Sequence, residues 1–323
     1  VSPRIFIENP PPFKKVQRRI PDQEPQIVDG HIEDGLDVVR YYREQELPIV
    51  GFHHSDIDPY ESRSLRGNVP LQRFGTFEYS RFLKQQLTDF EGFLVPHRVG
   101  VYQPPHEQAP TFQSLQADGI HDVVIVGKPS SNPGAGITYQ ASVPDLLAYL
   151  SGPDSGCDFT LGVIGIHLRA NEPDIIARKF QAAGGRLRVM GQFLDECDQM
   201  VDFIGRLART FEAQGLDLGQ LEYNVGVAIF GLKNQQFYAG LLRKDSLDCA
   251  SRFQGLEKQR QRLAESVDMN LEFAERILEA GRRHGVDIGF SVQPLIEHKT
   301  NGDLHPAVKT AAELAQKLSR LQA

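Results

Sequence analysis

The chain has 323 residues, with 35 Lys and Arg against 42 Asp and Glu, a formal net charge of −7. That balance excludes a general nucleic-acid or anionic-membrane binder, because both require a basic face. Hydrophobic residues at 40% and charged residues at 24% describe a globular chain, and three cysteines without CxxC spacing (Cys157, Cys197, Cys249) exclude a disulfide framework or a cysteine zinc site.

Such cysteine usage predicts a reducing, cytoplasmic setting. No apolar run approaches the roughly 20 residues of a membrane helix, and residues 1–30 lack the form of a signal peptide. Taken in chain order, runs rich in Val, Ile and Phe predict strands over residues 4–8, 48–54, 93–101, 122–127, 161–168, 188–193, 222–230 and 287–293. Amphipathic segments between them predict helices, among them 77–87, 142–150, 173–183, 196–214 and 263–284. Residues 9–33, rich in proline and charge, are expected to wrap the fold or cross its mouth, and residues 245–262 to add a helix before the last strand.

Strand–helix alternation argues for parallel βαβ units. Several strands are almost continuously apolar, such as Val123–Gly127 and Val225–Phe230, as in a sheet covered on both faces. Eight such units predict a single (β/α)8 TIM barrel over residues 1–323. The competing doubly wound sheet usually carries GxGxxG after its first strand, and none follows here.

Active sites of such barrels lie at the C-terminal ends of the strands. Polar residues collect there: Glu8 after strand one, His53 and His54 ending strand two, His97 and Arg98 in strand three, and Lys128 after strand four. His167 and Arg169 follow strand five, Gln192 lies in strand six, Phe230 ends strand seven and Gln293 ends strand eight. Any one of them fits an ordinary rim residue. Their convergence on one end predicts an active site. The loop at 129–136 reads as an ordinary connection, because it lacks the spacing of a phosphate loop.

Four motifs resemble the methylenetetrahydrofolate reductase family. They are Ile5-Phe6-Ile7-Glu8-Asn9-Pro10-Pro11-Pro12 in strand one, Val95-Pro96-His97 in strand three, and Gly119-Ile120-His121-Asp122-Val123-Val124-Ile125-Val126-Gly127 leading through strand four. The fourth is Ala177-Arg178-Lys179-Phe180-Gln181-Ala182-Ala183-Gly184, followed by Met190-Gly191-Gln192-Phe193-Leu194-Asp195. The resemblance implies an oxidoreductase that passes hydride from NADH or NADPH to methylenetetrahydrofolate or a related pterin. Glu8 would be the acid that opens the folate ring, with Gln192 beside it. Gln192, Phe230 and Gln293 would contact the substrate, and His53, His97, Lys128, His167, Arg169, Arg178 and Lys179 the cofactor. Lys128 stands where the family has an aspartate near its flavin, which reverses the local charge and leaves FAD open. The chain is also similar to actinobacterial-type members that take hydride directly from NADH. Self-association into a homo-oligomer stays open.

Two further readings compete. A metal-dependent lyase or hydrolase would use His53, His97, His167 and Glu8 as ligands. A non-catalytic folate or pterin binder would keep the pocket without the redox machinery. A reductase of another pterin or imine would share every feature of the first reading.

Overall fold

The computed structural model describes residues 2–18, 26–55, 73–127, 138–231, 239, 242, 244–294, 299–300 and 303–322. Eight parallel strands close into a barrel: β1 (Ile5–Glu8), β2 (Gly51–His54), β3 (Phe93–Val99), β4 (Asp122–Val126), β5 (Thr160–Gly165), β6 (Leu187–Phe193), β7 (Leu221–Ala228) and β8 (Asp287–Gln293). Neighbours follow chain order, and β8 closes the wall by pairing with β1, Phe6 opposite Ser291. All eight expected strands form. The helices outside them are α1 (Glu33–Glu44), α2 (Thr76–Gln86), α3 (Pro105–Ala117), α4 (Val143–Ser151), α5 (Glu172–Ala182), α6 (Cys197–Ala213), α7 (Gln259–His284) and α8 (Pro306–Leu318). The chain is a TIM barrel, as its strand pattern predicts.

Strand side chains alternate between two faces, so each strand feeds two cores. Ile5, Ile7, Val123, Ile125, Val225 and Val227 point outward into the large core shared with the helices. Phe6, Val95, Val124 and Met190 form a separate small cluster inside the barrel. Burial on both faces explains why these strands read as unbroken apolar runs.

The barrel interior is layered. At the N-terminal end Arg188 bonds Asp122 at 2.5 Å and Glu222 at 2.8 Å, with the Phe6 and Phe93 rings each 5.2 Å away. Phe6, Val95, Val124 and Met190 make the middle layer. Above them, toward the strand C-termini, the lining becomes polar: Glu8, His53, His97, Ser291 and Gln293 are all buried there.

Two local expectations are corrected, and one segment gains structure of its own. Residues 245–262 do not make an extra α-helix; a 3-10 turn forms at Asp248–Phe253, Gly255 takes φ +73°, and α7 begins only at Gln259. The left-handed backbone at Gly255 interrupts any continuous helix. Strand β5 stops at Gly165 rather than 168, because the Ile166 amide turns to donate to Glu172 Oε1 at 3.1 Å. Within the proline-rich segment 9–33, Lys15–Arg18 pairs antiparallel with Gln26–Asp29. No helix among the described residues is long and apolar enough to cross a membrane.

Candidate active site

Glu8 ends β1, where an apolar strand meets Asn9 and three prolines. The turn is fixed from several sides. The Asn9 amide donates to the His53 carbonyl at 2.9 Å, and His54 Nδ1 donates to the Asn9 carbonyl at 2.7 Å. Asn9 Nδ2 reaches the Tyr79 hydroxyl at 2.7 Å and the Gly35 carbonyl at 3.3 Å. A Cβ on Gly35 would overlap that hydroxyl, so glycine is required at this close approach.

The Glu8 side chain is only 6% exposed. Ser55 donates its hydroxyl to Oε1, while Oε2 is buried without a hydrogen-bond partner among the described residues. Burial disfavours the carboxylate and pushes its pKa up to about 8, against the opposing pull of the Arg73 guanidinium. Arg73 donates to the Pro11 carbonyl at 2.6 Å and lies 3.8 Å over the Phe13 ring. Glu8 is therefore a carboxylic acid at neutral pH, with one oxygen uncommitted among the described residues. This is the state a general acid requires.

His53 and His97 lie beside it in the barrel lining. His53 Nδ1 is 3.2 Å from His97 Nε2, and His53 Nε2 is 2.5 Å from Ser291 Oγ. Burial holds both imidazoles uncharged, His97 down to about 3 and His53 well below its ordinary value. Gln293 Nε2 extends the network at 3.4 Å to Ser291 Oγ and 3.4 Å to the Gly191 carbonyl. With both His53 nitrogens engaged, the metal-ligand role considered for His53, His97, His167 and Glu8 has no cluster behind it. Among the described residues no group of three or more His, Cys, Asp or Glu could hold an ion.

Gln192 sits half-buried in β6, within an irregularity in the pairing of β6 with β7 between Met190 and Phe193. Gly226 on β7 permits it, since a Cβ there would lie 2.6 Å from the Gly191 carbonyl oxygen and 2.7 Å from the Phe193 nitrogen. Such irregularities re-aim side chains at barrel rims. Glu8 and Gln192 thus both belong to the C-terminal ends of their strands. Phe230 is fully buried behind β7, edge-on to Phe193 and Phe253 at 6.3 and 5.8 Å.

The described members of the expected cofactor set fall into two groups, His53 with His97 in the barrel lining, and His167, Arg169, Arg178 and Lys179 after β5 and on α5. Arg178 is exposed midway along α5, six residues or roughly 9 Å below its mouth end. Lys179, on the same helix, donates to the Ile164 carbonyl at 3.1 Å. Arg169 is exposed and 3.5 Å from Glu172. His167 is buried beyond β5, neither ring nitrogen hydrogen-bonded to a described residue, with burial and the nearby Lys244 lowering its pKa to about 4. Lys128 lies outside the described residues. Neutral His53 and His97 supply no charge to a phosphate, which leaves Arg169, Arg178 and Lys179 as the described cations of this set.

Sequence reasoning missed Ser55, Arg73 and Ser291. Ser291 carries a readable signal: it is two residues before Gln293 and shares its inward parity. Ser55 and Arg73 reach Glu8 through loop packing that no local pattern encodes.

No family model matches the chain, and no curated protein matches it. Solved structures do. A protein from Clostridium thermocellum that binds two copies of 5-methyl-5,6,7,8-tetrahydrofolic acid superposes with a TM-score of 0.69 at 14% identity, over 98% of this chain and 96% of that one. An F420-dependent secondary alcohol dehydrogenase gives 0.54 at 12% identity, over 97% and 98% of the two chains. An EDTA monooxygenase from Chelativorans sp. BNC1 gives 0.51 at 12%, over 98% and 94%. At such identities the likeness is one of fold.

Proposed function

We propose that the mouth of the barrel binds a reduced folate or related pterin, and that Glu8 is the proton donor in a methylenetetrahydrofolate reductase-like reaction. One observation carries the reading: a buried carboxylic acid with pKa about 8 and an uncommitted oxygen, placed where barrel enzymes do chemistry. The folate bound by the Clostridium thermocellum barrel supports the ligand class.

In methylenetetrahydrofolate the one-carbon unit bridges two nitrogens in a five-membered ring. Glu8 delivers its proton to one nitrogen, that carbon–nitrogen bond breaks, and an iminium forms at the other. Bound NADH or NADPH would supply the hydride that reduces this carbon to a methyl group. Gln192, whose amide both donates and accepts, would hold the pterin or the nicotinamide carboxamide. Apolar surroundings keep Glu8 protonated until the folate nitrogen takes the proton. No step is routed through flavin.

A barrel that binds folate without reducing it is the second reading, favoured by the similar Clostridium thermocellum protein, which binds 5-methyl-5,6,7,8-tetrahydrofolic acid. Mixing the protein with methylenetetrahydrofolate and NADH or NADPH separates the two. Oxidation of the nicotinamide with formation of methyltetrahydrofolate supports the reductase. Tight folate binding without oxidation supports the binder.

A further inference from the structure

The hydrogen bonds that end at His97 have a single direction. Gln293 Nε2 faces the Gly191 carbonyl at 3.4 Å, and a carbonyl can only accept, so this end of the amide is its NH2. The same nitrogen is 3.4 Å from Ser291 Oγ, which therefore accepts from it. Ser291's own hydrogen goes to its other partner, His53 Nε2 at 2.5 Å. A neutral imidazole carries one N–H, so the hydrogen of His53 sits on Nδ1 and is donated to His97 Nε2 at 3.2 Å. His97, with Nε2 accepting, keeps its hydrogen on Nδ1. The reverse direction would turn the Ser291 hydroxyl hydrogen toward the Gln293 NH2, donor against donor in a buried site.

We propose that Ser291 and Gln293, acting through His53, fix His97 as an N–H donor at the barrel mouth, so that the site selects an occupant presenting a carbonyl acceptor there. Ser291, Gln293 and His53 are positioning residues, and His97 makes the contact. Two carbonyls have this chemistry, the lactam of a pterin and the carboxamide of a nicotinamide. Only the choice between these two probes rests on the folate reading.

Nitrogen NMR of the histidine rings in the ligand-free protein at neutral pH reads the tautomers directly. Nδ1–H on both His53 and His97 is expected, and Nε2–H on His97 overturns the proposal. In Ser291→Ala the chain loses its origin, and His53 and His97 should pass to mixed tautomers; an unchanged Nδ1–H on His97 overturns the relay. Titrations of wild type and Ser291→Ala with 5-methyltetrahydrofolate and, separately, NADH identify the occupant. The ligand that meets His97 should weaken roughly two- to tenfold in the variant, the worth of one hydrogen bond. Unchanged affinity for both ligands overturns the selective role. A wild-type protein that binds neither contradicts the folate reading, while the tautomers still decide the relay.

Discussion

Glu8 and His53 occupy paired positions on adjacent parallel strands, an acid and a base side by side, and neither is charged. In water a carboxyl and an imidazole so placed would exchange a proton and form an ion pair. Here both are buried, and creating two charges costs more than their attraction returns. His53 is also fully engaged, with one nitrogen on His97 and the other on Ser291. The proton stays on Glu8, available to a ligand.

Stability should peak near pH 6.5. His53, His54, His97 and His167 are buried with depressed pKa values, to about 4 for His54 and His167 and about 3 for His97. Below pH 6.5 the unfolded chain binds protons that the native state refuses, so their contribution is lost as pH falls toward these values. Glu8 has the opposite sign. Its raised pKa means the native state keeps a proton the unfolded chain has lost, so stability falls as pH rises from about 4.5 to about 8. Four imidazoles outweigh one carboxyl below pH 6.5, and Glu8 dominates above it as they finish titrating. Thermal denaturation from pH 4 to pH 9 checks this. Glu8→Gln should flatten the alkaline limb, and a midpoint still rising between pH 7 and pH 9 would contradict the assignment of Glu8.

Arg188→Met should destabilise the barrel by about 3–5 kcal/mol, the usual cost of removing one partner from a buried charge cluster. Asp122 and Glu222 would be left facing each other beneath the Phe6 layer. Because this plug lies at the opposite end from Glu8, folate affinity per folded molecule should not change. Urea denaturation and ligand titration of the same variant test both halves.

Gly226→Ala should lower stability and weaken ligand binding together. A methyl there presses on the Gly191 carbonyl and the Phe193 amide, the backbone on either side of Gln192. Ala at Gly219, in the turn before β7 at the far end of the barrel, should leave binding intact. Equal affinity in the Gly226 variant and wild type would remove Gln192 from the site.

Much of the barrel is legible in the sequence because its strands are buried on both faces. Runs such as Val123–Val126 need no alternation to be seen. Helix α3 is less visible, since Pro110 lies inside it and the chain before it resembles a loop. The hairpin of Lys15–Arg18 with Gln26–Asp29 is hidden by the proline and charge around it. At the mouth, Glu8, His53 and Gln293 stand out as polar ends of apolar strands. Arg178 and Lys179 read as a motif, yet consecutive helical residues point about 100° apart, and the first is exposed while the second turns inward to Ile164. Buried networks such as Ser291–His53–His97 depend on register between distant strands, which the sequence does not spell out.

Activity should follow the protonated form of Glu8. Turnover with methylenetetrahydrofolate and NADH or NADPH should hold through neutral pH and decline as pH rises past about 8, as the acid is lost. A profile that rises through this range would mark Glu8 as a base.

The most direct measurement is turnover and folate affinity of Glu8→Gln beside its melting temperature. The amide keeps the shape of the side chain and its place beside Ser55 but has no proton to give. Turnover should fall by roughly 10²–10⁴-fold with folate affinity nearly unchanged. Near-wild-type turnover per folded molecule would contradict the assignment of Glu8 as the acid.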